Sequence, residues 1–187
     1  SKAVRKGRRM NAAQWAGLIA ALMVAANLVC LSIAFVRLRR KQAPSRLQKQ
    51  APPVTIVRPV RGIETFSRET LTSGLELDYP QYETIFCVAD GHDPIVPLIE
   101  ELIATYGADR VRLIVGDVAV SANPKLNNCV RGWEAAMTEW VILADSNVLM
   151  PKDYIQRMLA AWRPETGLVC STPAGSRPQS FGAEVEC

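Results

Sequence analysis

The sequence predicts an α/β fold with a mostly parallel sheet, preceded by one transmembrane helix. Apolar runs rich in β-branched residues alternate with stretches of helical spacing, which is typical of βαβ units. The runs are nearly continuous in apolar residues, as expected for strands buried on both faces of a parallel sheet. Residues 15–36 carry no charged side chain. As a helix they span roughly 33 Å, which is enough to cross the hydrocarbon core of a bilayer.

Composition and charge narrow the class of protein. Of the 187 residues, 49% are hydrophobic, which excludes a disordered chain. The first 50 residues contain eleven Lys and Arg and no Asp or Glu. The remaining residues contain eleven Lys and Arg and eighteen Asp and Glu. Basic residues beside an apolar run are typical of membrane flanks, and the acidic remainder argues against nucleic-acid binding. The five Cys show no C-x-x-C pair and there is one His, which argues against a zinc finger.

Four segments are predicted along the chain. They are a basic N-terminal segment (1–14), the transmembrane helix (15–36), a basic, Pro-containing linker (37–53) and a folded domain (54–187). A cleaved signal peptide is the weaker alternative, because the apolar run is long and basic residues follow it. Basic residues flank both ends of the helix. If Met10 were the true start, the leading cluster would vanish and the positive-inside rule would place the domain in the cytoplasm.

The folded domain is predicted to alternate strands and helices. The predicted strands are 54–60, 82–90, 111–117, 140–148 and 167–173. The predicted helices are 94–106, 124–137 and 151–162, with a weaker signal at 63–78. Two of these helices open on Pro124 and Pro151, and a first helical turn tolerates the missing proline N–H.

Candidate ligand-binding residues lie where the strands end, because open α/β sheets bind ligands beyond the carboxyl ends of their strands. Asp90 and Asp145 each follow a small residue at a strand end. A carboxylate there can instead cap a helix or accept turn N–H groups, and this is the favoured interpretation for Asp117. Asp145 emerges from an apolar strand, where an acid is costly unless it is paired or binds a cation. Its oxygens suit Mg²⁺ or Mn²⁺.

The loop at 121–128 is rich in polar side chains where a helix begins. Lys125 and the helix N-terminus could bind an anion, whereas Asn123 could simply cap the helix, and the residues do not decide between the two. His92 follows Asp90 and could act as a base, but a solvated side chain is the favoured interpretation. Glycine-rich signatures of NAD domains and P-loop NTPases are absent.

Five segments together resemble the ceramide glucosyltransferases, which are membrane-bound inverting glycosyltransferases related to the large family-2 group. The segments are VRPVRGIE (57–64), LELDYPQYETIFCVADGHDP (75–94), ANPKLNN (122–128), ADSNVLMP (144–151) and GLVCSTPAGSRPQSFGAEVE (167–186). The resemblance implies a glycosyltransferase-A type nucleotide-sugar domain, a divalent metal (Mg²⁺ or Mn²⁺), and transfer of glucose from UDP-glucose to the primary hydroxyl of ceramide. It implies that Asp90 contacts the nucleotide and that Asp145 contacts the metal and diphosphate. The candidate substrate-binding residues are Asp90, Asp93, Asp145, Arg58, Asn123 and Lys125, with Asp145 as the metal ligand.

Two departures from the family pattern shape the functional expectation. Asn147 replaces the second acid of a strict Asp-x-Asp motif. The family's third Asp, its general base, and its Gln-x-x-Arg-Trp motif do not occur in this sequence. We therefore expect a truncated chain whose base lies beyond residue 187 and which is inactive alone. A different membrane-lipid acceptor, such as a hopanoid or diacylglycerol, and an inactive membrane-tethered nucleotide-binding fragment remain alternatives. A receiver-like signalling domain explains the strand-end acids but not the segments ANPK (122–125) and ADSN (144–147).

Overall fold

The structure, a computed structural model, describes residues 11–39, 51–173, 175, 176 and 180. The chain divides into two compact units, one containing the first helix and the other containing all remaining elements. Most of the predicted basic N-terminal segment and linker lies outside the described residues, as does most of the stretch after residue 173.

Helix α1 (Ala12–Arg39) forms the first unit. It begins with a reciprocal cap, because Gln14 N–H donates to Asn11 Oδ1 at 2.9 Å and Asn11 N–H donates to Gln14 Oε1 at 3.0 Å. Within the apolar stretch, Ser32 Oγ donates to the Leu28 carbonyl at 2.7 Å, which satisfies its hydroxyl inside the helix. Residues Ala12–Val36 are long and apolar enough to cross a membrane by length and composition.

The second unit alternates four strands with four helices. In chain order these are β1 (Val54–Pro59), α2 (Ser67–Ser73), β2 (Tyr82–Val88), α3 (Val96–Tyr106), β3 (Val111–Val115), α4 (Pro124–Ala135), β4 (Trp140–Leu143) and α5 (Tyr154–Ala161). The strands form one parallel sheet in the order β3-β2-β1-β4. The predicted α/β fold with a parallel sheet is confirmed. The strand order reverses between β1 and β4, which makes that point the switch point of the sheet.

Helices cover both faces of the sheet, and alternate residues of β1 point to opposite faces. On one face, α2 and α3 pack over the core around Phe86, while α5 packs over Ile56. On the other face, α4 packs over Val57 and Cys87. Gly132 allows this approach, because a Cβ there would meet Val57 Cγ1 and would lie 2.9 Å from Cys87 Sγ. The close fit of α4 on the sheet therefore depends on a missing side chain.

Several predicted elements differ in the structure. Residues 167–173 form no strand: no other described strand pairs with them, and Leu168 is 77% exposed. The outer strands β3 and β4 are only partly buried, because a strand at the edge of this sheet is covered on fewer sides than β1 and β2. Pro124 opens α4 as predicted, but Pro151 lies before the first turn of α5. The weak helical signal at 63–78 corresponds to the short α2.

Cys87 provides a first prediction on the core. Burial raises the pKa of its thiol to about 11, so at pH 8 it is almost entirely protonated as well as inaccessible. We expect a maleimide at pH 8 to label the exposed Cys170 in the folded protein and to label Cys87 only after denaturation. Mass spectrometry of the labelled peptides measures both. Native labelling of Cys87 as fast as that of Cys170 would contradict the packing of α4 on β2.

Candidate functional site

The carboxyl ends of the strands bring most of the predicted residues to one edge of the sheet. Val57 of β1 pairs with Leu143 of β4, and Pro59 pairs with Cys87 of β2. The three strands therefore end at similar heights, and the loops that carry the strand-end acids leave from the same edge.

Asp145 lies two residues beyond β4 with its side chain 51% exposed. Its Oδ1 lies 2.6 Å from Nζ of Lys125, whose side chain is 57% exposed. An ion pair this open to solvent contributes roughly 0–1 kcal/mol. The pair therefore places an anionic and a cationic group side by side, and a charged ligand could separate them at little cost.

The start of α4 settles the role of Asn123. Its Oδ1 accepts hydrogen bonds from Lys125 N–H at 3.0 Å and from Leu126 N–H at 3.4 Å. The capping interpretation is therefore correct, and those two N–H groups are occupied by the protein itself. Asn127 stabilises the same turn from within, since its Oδ1 accepts from Ser121 N–H at 2.9 Å. What the loop can offer an anion is the Lys125 side chain rather than these amides.

Arg58 requires a correction. We predicted that it binds substrate, but its side chain is 0% exposed. Burial lowers its pKa to about 10, and the nearby charge of Asp145 opposes that shift. Its Nη2 donates to the backbone carbonyls of Asp145 at 2.9 Å and Ser146 at 3.1 Å. Arg58 therefore contacts the backbone of the loop that carries Asp145, and no surface remains for a ligand.

Asp93 and Asp90 follow β2 but differ in their environments. Asp93 Oδ1 accepts from Gly62 N–H at 2.9 Å and Ile95 N–H at 3.0 Å, so it joins the loop after β1 to the start of α3. Gly62 has φ +67, which favours glycine at this contact. Asp90 is exposed, and its Oδ1 accepts only the local His92 N–H among the hydrogen bonds found in the described residues. Of the two, Asp90 is the carboxylate with capacity for a ligand.

A small cleft lies at the switch point of the sheet. It is open to solvent, and it is lined by Val60 to Gly62 and Glu64 of the loop after β1, by Ser67 and Leu71 of α2, by Ile95 and by Ser146. The cleft is therefore bordered by the segment that follows Asp145 and by the segment that Asp93 holds. Asp117 Oδ1 lies 3.5 Å from Asn127 Nδ2, which is a local side-chain contact rather than the predicted helix cap or turn N–H contact.

The donor set for a metal ion is small. Within the described residues, no group of three or more His, Cys, Asp or Glu side chains could hold one. Asp145 supplies one half-exposed carboxylate. Mg²⁺ in nucleotide sites is commonly held by one or two carboxylates together with substrate phosphates and water. The residues therefore fit a metal that arrives with a diphosphate, and they do not fit a metal held by protein side chains alone.

The sequence did not reveal how Arg58 acts, although it contained a signal. Arg58 interrupts an otherwise apolar, β-branched strand. A cation at such a position must find hydrogen-bond acceptors inside the protein. The pairing of Lys125 with Asp145 gave no comparable signal in the sequence. It depends on how close the start of α4 lies to the segment after β4 in the folded domain.

Comparison with known proteins agrees with this architecture. The profile of glycosyl transferase family 21 matches residues 19–187. A ceramide glucosyltransferase of Pyricularia oryzae is 30% identical over 154 residues, which are 74% of this chain and 30% of that protein. Another, from Komagataella phaffii, is 33% identical over 127 residues, 66% of this chain and 25% of that protein. This chain thus spans about a quarter to a third of the length of these relatives.

The solved structures of similar fold include the mannosyltransferase PcManGT from Pyrobaculum calidifontis in complex with GDP-Man and Mn²⁺. It has a TM-score of 0.53 and 20% identity, and the match covers 76% of this chain and 41% of that chain. This likeness supports the predicted glycosyltransferase fold. The family profile covers most of the sequence and confirms the resemblance seen in its motifs: the chain belongs to glycosyl transferase family 21.

Proposed function

We propose that this chain provides the nucleotide-sugar-binding part of a membrane-bound, inverting glycosyltransferase. In this proposal the enzyme transfers glucose from UDP-glucose to the primary hydroxyl of ceramide. The observation that carries it is the Asp145–Lys125 pair, which lies beyond the carboxyl end of β4, next to the switch point of a family 21 domain. Ceramide and glucose are included in the proposal because the chain is similar to ceramide glucosyltransferases.

The two charges suit a nucleoside diphosphate as leaving group. Lys125 can place its ammonium on a phosphate oxygen, since its present partner is an exposed carboxylate. Asp145, once separated from Lys125, would hold Mg²⁺ or Mn²⁺, which neutralises diphosphate charge when bound. Asp90, exposed beyond β2, is the candidate for the nucleoside. The proton of the acceptor hydroxyl requires a general base, and we assign that role to none of the described residues.

The donor and acceptor are tested together on the full-length protein in lipid vesicles. We expect glucose transfer from UDP-glucose to ceramide in the presence of Mn²⁺ or Mg²⁺, and its loss when EDTA removes the metal. Parallel assays offer GDP-mannose as donor and diacylglycerol as acceptor. Preferred transfer to diacylglycerol would favour the alternative lipid substrate. UDP-glucose binding without transfer to any lipid would favour a nucleotide-binding module without catalysis.

The orientation of the chain gives a separate prediction. We propose that α1 spans the membrane and that the second unit faces the cytoplasm, because Arg and Lys residues follow the apolar segment and resist translocation. Protease added to intact cells freed of their walls is expected to leave the second unit uncut, and to digest it after detergent treatment. Cleavage beyond residue 50 in sealed cells would place the unit outside and would contradict the proposed orientation.

A further inference from the structure

Arg58 is a buried cation whose partners are backbone carbonyls rather than acidic side chains. Its Nη1 donates to the Thr70 carbonyl at 2.8 Å and reaches the Leu71 carbonyl at 3.5 Å, both in α2. Its Nη2 donates to carbonyls of the segment that follows β4. These are Asp145, Ser146 and Val148, at 2.9, 3.1 and 3.1 Å. One guanidinium therefore joins α2 to the segment that carries Asp145.

The geometry of these contacts fixes the backbone at Asp145 itself. A carbonyl held by a buried, charged donor is costly to release, because both groups would lose a hydrogen bond away from water. Three carbonyls within four residues lie within hydrogen-bond distance of the same nitrogen and share its two N–H groups. The Asp145 carboxylate is exposed, but the backbone that carries it is held by the buried guanidinium of Arg58. In the described residues, the only side-chain partner of that carboxylate is Lys125, and this ion pair is open to solvent.

The fold provides space for this guanidinium. Gly74 ends α2, and a Cβ there would lie 2.8 Å from Arg58 Nη1 and 3.4 Å from Met150 Sδ. The backbone of Gly74 has φ −78 and ψ −9, which alanine adopts without strain. Glycine at this position is therefore explained by contact with Arg58 and Met150 rather than by backbone conformation.

We infer that Arg58 is a positioning residue for the diphosphate and metal site, which it sets by holding the Asp145–Val148 backbone without touching the ligand. The inference rests on the proposed function, because it requires Asp145 to bind the donor. The planar fork is essential to it: a guanidinium reaches both segments at once, whereas a lysine ammonium in the same place reaches fewer acceptors.

The test compares Arg58→Lys with Val111→Ala in the full-length protein. Val111 is buried at the amino end of β3, on the opposite edge of the sheet from β4, so its truncation weakens the core without contacting the Asp145 segment. The probe is UDP with Mn²⁺, and its dissociation constant is measured well below the unfolding temperature of each variant. We expect Arg58→Lys to weaken binding about tenfold or more, and Val111→Ala by less than about twofold.

Two further measurements separate positioning from general stability. Amide hydrogen exchange of residues 145–149 is expected to accelerate in Arg58→Lys and to stay unchanged in Val111→Ala. Gly74→Ala, which keeps the arginine but displaces its Nη1, is expected to weaken UDP binding several-fold in the same direction. If Arg58→Lys and Gly74→Ala lower the unfolding temperature but bind UDP with Mn²⁺ like Val111→Ala, the inference is overturned while the proposed function stands. If Asp145→Asn also binds UDP with Mn²⁺ like the parent protein, the inference and the proposed function both fail.

Discussion

Asp145→Asn in the full-length protein is expected to lower the affinity for UDP-glucose with Mn²⁺ on the order of 100-fold, about 2.7 kcal/mol. The substitution removes the half-exposed carboxylate that follows β4 and pairs with Lys125. Asparagine keeps the size of the side chain and one oxygen acceptor, so packing is preserved and the charge is what changes. Isothermal titration with and without Mn²⁺ measures the loss. The metal dependence should disappear together with the affinity.

Asp117→Asn is the matched control for this experiment. It makes the same chemical change at an exposed acid whose contact is local, with Asn127 Nδ2 at 3.5 Å. An asparagine oxygen can accept that contact, so the affinity should change by less than about twofold. Thermal unfolding of both variants should match the parent protein. Equal losses of affinity in the two variants would show that the diphosphate is not held at Asp145.

Gly132→Val is expected to destabilise the second unit by about 3 kcal/mol or more. Its Cβ would enter the space of Val57 Cγ1 and lie 2.9 Å from Cys87 Sγ, both on the buried face of the sheet. Neither neighbour can move away freely, because Val57 and Cys87 are completely buried in the two central strands. Helix α4 must then lift from the sheet. Chemical denaturation followed by tryptophan fluorescence measures the change in the free energy of unfolding.

The control introduces the same side chain at Gly167. A Cβ there meets no atom within 4 Å, and the residue is exposed. Gly167→Val should therefore change the free energy of unfolding by less than about 0.5 kcal/mol. A similar loss in both variants would show that close approach at Gly132 is not what destabilises Gly132→Val.

The sequence predicted the elements whose pattern is local. Continuous apolar runs predicted β1 and β2, because these strands are buried on both faces of the sheet. The 3–4 spacing of apolar residues predicted α3, because one side of that helix packs on the sheet. Residues 167–173 share the same apolar composition but form no strand in the described chain. A strand requires a neighbour to pair with, and composition alone does not indicate whether one is present.

The sequence predicted single residues of the candidate site but not the contacts between them. Asp145 and Lys125 were recognised singly, from a strand end and a helix start. Their contact depends on the order β3-β2-β1-β4, which places β4 beside β1 after a change of direction. Arg58 was predicted to bind the ligand because it lies at the end of β1, whereas its carbonyl partners come from α2 and from the segment after β4. Such long-range backbone contacts leave no periodic trace in a sequence.

The fit between Arg58 and Gly74 also couples the effects of substitutions at these two positions of the chain. A Cβ at position 74 would come within 2.8 Å of the guanidinium, so the two positions cannot drift independently. A shorter side chain at position 58 would open space beside α2 for a larger side chain at position 74. Because the guanidinium and a side chain at position 74 compete for the same space, the effects of substitutions at the two positions should not be additive.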